Sequence, residues 1–173
     1  IRLDLIAEII KNHPEIEFTL IGPIGKSNIS NNEMRSEIID SIVGSHNVIH
    51  KGTLAPETYQ IEINKLDGFI VCYDADPISI SNSHKILEYL STGKAIFSGP
   101  IDEYINQPDL VNSTNIIEDL PKDFKFNINN IEQLNSTENM QKRISYALDN
   151  TYAKQIDRIA KIIYKSTVQE KDN

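Results

Sequence analysis

At 173 residues, 39% of them hydrophobic and 24% charged, the chain is long enough for one α/β domain with a sizeable core and too short for two of ordinary size. A formal net charge of −8 opposes a role on nucleic acid, because affinity for phosphate backbones comes from clustered Lys and Arg. A lone cysteine excludes an internal disulfide and fits a reducing compartment, and neither a run of about 18 apolar residues nor a basic-then-apolar leader is present.

The chain opens on Ile1, and Leu3, Leu5, Ile6, Ile9 and Ile10 at once trace the buried face of a helix over residues 2 to 12, so it is expected to be a fragment of a longer protein. Strands are predicted at Ile16 to Ile21, Asn47 to His50, Gly68 to Tyr73, Ala95 to Ser98 and Thr114 to Ile117, each a short apolar run bounded by Gly, Pro, Asn or Asp. Helical patterns lie between them at 32 to 43, 55 to 65 and 83 to 92. Strand, helix, strand in alternation implies right-handed crossovers and a doubly wound parallel sheet. Residues 99 to 130, with Pro100, Pro108 and Pro121, read as loop around one strand. From Ile131 to about residue 170 the apolar positions Ile131, Leu134, Met140, Ile144, Leu148, Tyr152, Ile156, Ile159 and Ile163 predict two consecutive helices, with Asn150-Thr151 as the break.

In such a sheet, ligands bind where the carboxyl ends of strands meet the amino ends of the following helices. That directs attention to the loops after Ile21, His50, Tyr73 and Ser98. Gly22-Pro23-Ile24-Gly25-Lys26-Ser27 ends like a phosphate loop, but the first glycine of that motif would fall at Leu20, and the dinucleotide fingerprint fails at Lys26. A strand-end turn explains it, and the alternative is that Gly22 admits the close approach of a ligand. Asp74 and Asp76 before Pro77 read as a polar turn. Cys72, inside Phe69-Ile70-Val71-Cys72-Tyr73, reads as a buried structural thiol, and His13, His46, His50 and His84 show no metal spacing. No metal or cofactor is expected.

Residues 81 to 98 carry the strongest signal. At 100° per residue Ile86, Leu87 and Leu90 share one side of a helix, while Lys85, Glu88, Tyr89 and Thr92 share the other, and Gly93 ends it. Its amino end would aim free amides and the positive pole of the helix dipole at the ligand edge, with Lys85 adding a cation. Glu88, about one turn (roughly 5 Å) further on, could accept hydrogen bonds from ribose hydroxyls while a diphosphate sits at the helix end. A solvated face with a weak Lys85–Glu88 pair explains the same residues equally well.

The run Lys85-Ile86-Leu87-Glu88-Tyr89-Leu90-Ser91-Thr92-Gly93-Lys94-Ala95-Ile96-Phe97-Ser98 resembles the "Pro-x-Lys-x-x-Glu-Tyr-Leu-Ala-x-Gly-Lys-Pro-Val-Val-Ser" signature of family 4 glycosyltransferases of the GT-B fold. The resemblance extends, in order, through Arg2-Leu3-Asp4-Leu5, Phe18-Thr19-Leu20-Ile21-Gly22-Pro23, Asn47-Val48-Ile49-His50-Lys51-Gly52, Leu66-Asp67-Gly68-Phe69 and Asn150-Thr151-Tyr152. It departs from the pattern at Ile80, where a second glutamate is usual, and at Ser83 and Ala95, where prolines are usual.

The resemblance implies that residues 1–173 are the C-terminal, Rossmann-like half of a two-domain enzyme, with the acceptor domain and first strand lying upstream. It implies that Glu88 holds the ribose of a nucleoside-diphosphate sugar, that Lys85 and the amides near Ser83 and His84 hold its diphosphate, that Gly22 lets the donor approach, and that Arg2 lies near the diphosphate. The whole protein would transfer a sugar to a hydroxyl acceptor in surface polysaccharide assembly, in the cytoplasm and peripheral to the inner face of the membrane. This half alone would bind the donor without turnover. A regulatory nucleotide-binding domain of flavodoxin type and a GT-B epimerase acting on UDP-sugars are the rival expectations.

Overall fold

The computed structural model describes residues 1–23, 33–73 and 84–169, without the side chains of 33–35 and 165–169. Helix α1 (Leu3–Asn12) buries Leu5, Ile9 and Ile10 and leads to strand β1 (Phe18–Leu20). Helix α2 (Glu33–Val43) precedes β2 (Val48–His50), and β1 pairs with β2 in parallel, Phe18 opposite Val48 and Leu20 opposite His50. The turn between α1 and β1 is fastened from β2: the buried Asn47 donates to the carbonyls of Ile10, His13 and Ile16 at 3.2, 2.9 and 3.1 Å.

Helix α3 (Pro56–Ile63) leads to β3 (Gly68–Val71), and helix α4 (His84–Ser91) lies between β3 and β4 (Ala95–Ser98). A two-residue β5 (Asn112–Ser113) completes a second parallel sheet of order β3-β4-β5. The expected alternation of strand and helix is therefore present, but the described strands form two parallel sheets rather than one, because no ladder joins β1 to β3.

Side chains of β3 and β4 divide between two apolar clusters. Phe69, Val71 and Ile96 join Ile63, Ile86, Leu90 and Ala147, whereas Ile70, Ala95 and Phe97 meet Leu5, Ile9, Leu120 and Phe124. Every residue of β4 is buried, as expected of a strand covered on both faces. Phe18 of β1 packs on the same cluster as Ile70, its ring tilted against Phe124 at 6.3 Å.

The chain after β4 corrects the sequence reading twice. The fifth strand lies at Asn112–Ser113, not Thr114–Ile117: the Thr114 amide donates to Ser98, and its hydroxyl turns to the Ile116 carbonyl at 2.8 Å, so the chain leaves the sheet. Helix α5 (Leu120–Ile128), entered through a 3-10 turn at Ile117–Asp119, occupies sequence expected to be loop. Pro121 stands in its first turn, where the missing amide has no helical partner to lose, and Leu120 and Phe124 bury its apolar face.

The C-terminal region breaks at Asn150-Thr151 as expected and a second time at Asn135-Ser136, giving α6 (Ile131–Leu134), α7 (Thr137–Asp149) and α8 (Tyr152–Gln169). Asn135 explains the extra break. Its side chain accepts from the Ala95 amide at 2.8 Å and donates to the Asp67 carbonyl at 2.7 Å, clamping the starts of β3 and β4, while Ser136 caps α7. The sequence pattern hides one further feature: Arg143 of α7 is 1% exposed, and its guanidinium donates to the carbonyls of Gly93, Leu110 and Leu134. Ile156 and Ile159 of α8 remain 64% and 56% exposed. Among the described residues no helix is long and apolar enough to cross a membrane.

Candidate functional site

The carboxyl ends of β1 and β2 are latched to each other. The Gly22 amide donates to Gly52, the Lys51 amide to Leu20, and His50 Nε2 to the Gly22 carbonyl at 2.9 Å. Gly22 and Gly52 have φ of 128° and 62°, and a side chain added at either would meet no described residue within 4 Å. Their backbone conformation favours glycine. Gly22 is half-buried, and its amide and carbonyl are both bonded to the end of β2. Gly25, Lys26 and Ser27, together with Asp74, Asp76 and Ser83, lie outside the described residues.

Arg2 sits beside the carboxyl end of β3, where its amide donates to the Cys72 carbonyl. Its guanidinium is already engaged, by Asp4 at 2.7 Å and Glu118 at 2.9 Å. Those two carboxylates hold its pKa above the ordinary arginine value and are themselves held below theirs. An incoming phosphate would have to displace one of them. Cys72 is buried, and desolvation pushes its thiol up to about 11, which suits the structural role expected of it and not a nucleophile.

Helix α4 carries the remaining candidates. Ile86 and Leu90 are fully buried against β3 and β4, as the periodicity predicts. The outer face is narrower than predicted. Tyr89 stacks flat on Phe69, with centroids 4.1 Å apart and planes 3° from parallel, and Thr92 is buried with its hydroxyl donating to the Tyr89 carbonyl. The helix is thus covered over more than the half-turn that two-sided periodicity assumes, because α3 and α7 flank it as well as the sheet. His84, Lys85 and Glu88 keep the solvent side.

These three are not isolated surface residues. Lys85 Nζ lies 3.0 Å from Glu88 Oε2, and the Tyr59 hydroxyl, from α3, donates to the same oxygen at 3.1 Å. The lysine also caps the Tyr59 ring, 4.4 Å from its centroid. Burial first, then the Glu88 charge and hydrogen bond, push the Tyr59 hydroxyl up to about 12, so it is a proton donor throughout the physiological range. The Tyr152 hydroxyl, at the start of α8, lies 3.0 Å from His84 Nε2. The structure therefore gathers Lys85, Glu88 and Tyr59 into one cluster and sets a second pair, His84 and Tyr152, on the first turn of the same helix.

Tyr59 is the residue that sequence reasoning missed. It is 29 positions from Glu88, inside a helix whose pattern announces only packing, and no local spacing connects the two.

A neighbouring ion cluster serves a different end. Glu62, largely covered, pairs with Lys51 and with Lys65, and these hydrogen bonds pull its carboxyl down to about 2. It ties α3 to the end of β2 and so holds Tyr59's helix in place. Among the described residues no group of three or more His, Cys, Asp or Glu is placed to hold a metal ion. No protein-family model matches this sequence, and no curated protein matches it.

Proposed function

We propose that this chain is the donor-binding half of a GT-B glycosyltransferase, which takes a nucleoside-diphosphate sugar at the amino end and outer face of α4. The observation that carries the reading is the α4 cluster: a cation and a carboxylate one helical turn apart, solvent-facing, on the helix that follows β3, with an aromatic hydroxyl bracing the carboxylate. A helix amino end and Lys85 suit a diphosphate, and Glu88 suits a diol. His84, on the first turn, suits the diphosphate as well.

Two features of the fold support the finer reading of a doubly wound, Rossmann-like domain. All strand pairs are parallel, and β3-β4-β5 has apolar clusters on both faces. The two sheets share a core through Phe18 and Ile70 without sharing a ladder, which is what the reading expects if the first strand of the family lies outside residues 1–173. In this reading the partners are the nucleotide sugar and an N-terminal acceptor domain of the same protein, and the whole enzyme works in the cytoplasm at the inner membrane face.

Titration of the chain with UDP, GDP and ADP, with and without Mg²⁺, tests the proposal. One of the three is expected to bind with a Kd between about 1 μM and 1 mM whether or not Mg²⁺ is present, since helix amides and Lys85 neutralise the phosphates while half the cleft is absent. Strict metal dependence, or no binding of any of them, sinks the assignment. Glu88→Gln is expected to weaken that binding by about 1–3 kcal/mol, the range for a charge-assisted hydrogen bond, with the thermal midpoint nearly unchanged. Unaltered affinity in Glu88→Gln would make α4 a structural helix only.

A further inference from the structure

We infer that Tyr59 is a positioning residue for nucleotide recognition: its hydroxyl fixes Glu88 through Oε2 and so turns Oε1 toward the vicinal diol of a ribose. This rests on the nucleotide reading above and names a member of the site that lies on another helix.

The geometry is asymmetric. Two donors, the Tyr59 hydroxyl at 3.1 Å and Lys85 Nζ at 3.0 Å, converge on Oε2, while no described residue donates to Oε1. The Glu88 side chain is 41% exposed, so its second oxygen is open to a ligand. A carboxylate with one oxygen held loses little further rotamer freedom when a diol bonds the other.

The two donors differ in what a phosphate does to them. Lys85 is half exposed on a flexible stem, and a diphosphate at the amino end of α4 competes with Glu88 for its charge. The Tyr59 ring is packed against the buried cluster that contains Ile63, Ile86 and Leu90, and its hydroxyl stays protonated far above neutral pH. Tyr59 is the donor that remains when the lysine turns to the phosphates. The ligand class that this arrangement selects is a ribonucleotide over one lacking its sugar hydroxyls.

The test compares, by calorimetry, the nucleotide among UDP, GDP and ADP that binds best with its 2′,3′-dideoxy form, on the wild-type chain and on Tyr59→Phe. Wild type is expected to prefer the ribonucleotide about tenfold or more, and Tyr59→Phe to reduce that preference to about threefold or less while affinity for the dideoxy form stays within about twofold. Because the preference is a ratio measured on one sample, a partly unfolded fraction cancels from it. In a Glu88→Gln background Tyr59→Phe is expected to change the preference no further, since it acts through the carboxylate. An undiminished preference in Tyr59→Phe, or an equal loss in the Glu88→Gln background, overturns the positioning role and leaves the nucleotide reading standing. A wild-type chain that binds none of the three overturns both.

Discussion

Replacing Arg143 with leucine is expected to lower the stability of the chain by about 3–5 kcal/mol, enough to remove much of what a domain of this size ordinarily has. The guanidinium is almost wholly buried and has no carboxylate within bonding distance among the described residues; its partners are the carbonyls of Gly93 at 3.0 Å, Leu134 at 2.8 Å and Leu110 at 3.3 Å. One of these belongs to a helix end: Leu134 closes α6, so its carbonyl is among those a helix leaves without an internal partner, while Gly93 stands two residues beyond α4. Burial lowers the arginine's pKa, and the converging dipoles compensate for the charge. Leucine fills part of the volume but leaves three carbonyls buried without donors. Urea unfolding gives the answer, with Lys142→Ala as the control, because Lys142 makes only exposed pairs with Asp109 and Glu138 and its removal is expected to change little. A midpoint in Arg143→Leu as small in its shift as that control would show that the carbonyls find other partners.

Gly93→Ala is expected to cost about 2–4 kcal/mol, from two additive causes. The residue has φ of 77°, a left-handed conformation that penalises any side chain, and its added Cβ would stand 3.0 Å from Met140 Cβ, 3.1 Å from Ile144 Cδ1 and 3.2 Å from Met140 Cα. Part of the clash involves backbone, which cannot swing aside, so α7 must move off α4. Ile144→Val removes one clashing atom and is expected to recover only part of the loss in the double variant. Chemical denaturation of the three variants measures this; a Gly93→Ala chain within about 0.5 kcal/mol of wild type would mean that the helices separate freely.

Much of the central fold is legible in the sequence, for reasons these residues make plain. Ala95 to Ser98 is bounded by Gly93-Lys94 and Gly99-Pro100 and has nothing polar to place until Ser98, so its limits can be read to the residue. Ile86 and Leu90 likewise announce the buried side of α4, and Gly93 its end. Residues 120 to 128 were not legible, because Leu120-Pro121 followed by Lys122-Asp123 looks the same in a loop and in a proline-led helix; the packing of Phe124 against Phe97, at 5.0 Å, decides between them. Asn135 looks like a helix-compatible residue until both ends of its amide are seen to be needed elsewhere.

At the candidate site the spacing of Lys85 and Glu88 was readable because it lies within one helix. The contributions of Tyr59 and Tyr152 come from elements that only the tertiary fold brings alongside, 29 and 68 residues from their partners. The inward turn of Tyr89 onto Phe69 was missed for a related reason: helical periodicity assigns one buried side, and α4 is enclosed from more than one.

With seven tyrosines and no tryptophan, the chain emits ultraviolet fluorescence from phenols alone. A phenol that donates its proton to a carboxylate is quenched, because the excited ring is a far stronger acid than the ground state and passes the proton across the hydrogen bond. Tyr59, bonded to Glu88, is therefore dark in the resting chain. Tyr146, bonded to Glu103 at 2.9 Å, is quenched in the same way. Because Tyr59 keeps its oxygen of Glu88 while a diol takes the other, a bound ribonucleotide leaves Tyr59 dark, and only removal of the carboxylate, as in Glu88→Gln, adds an emitter at the site.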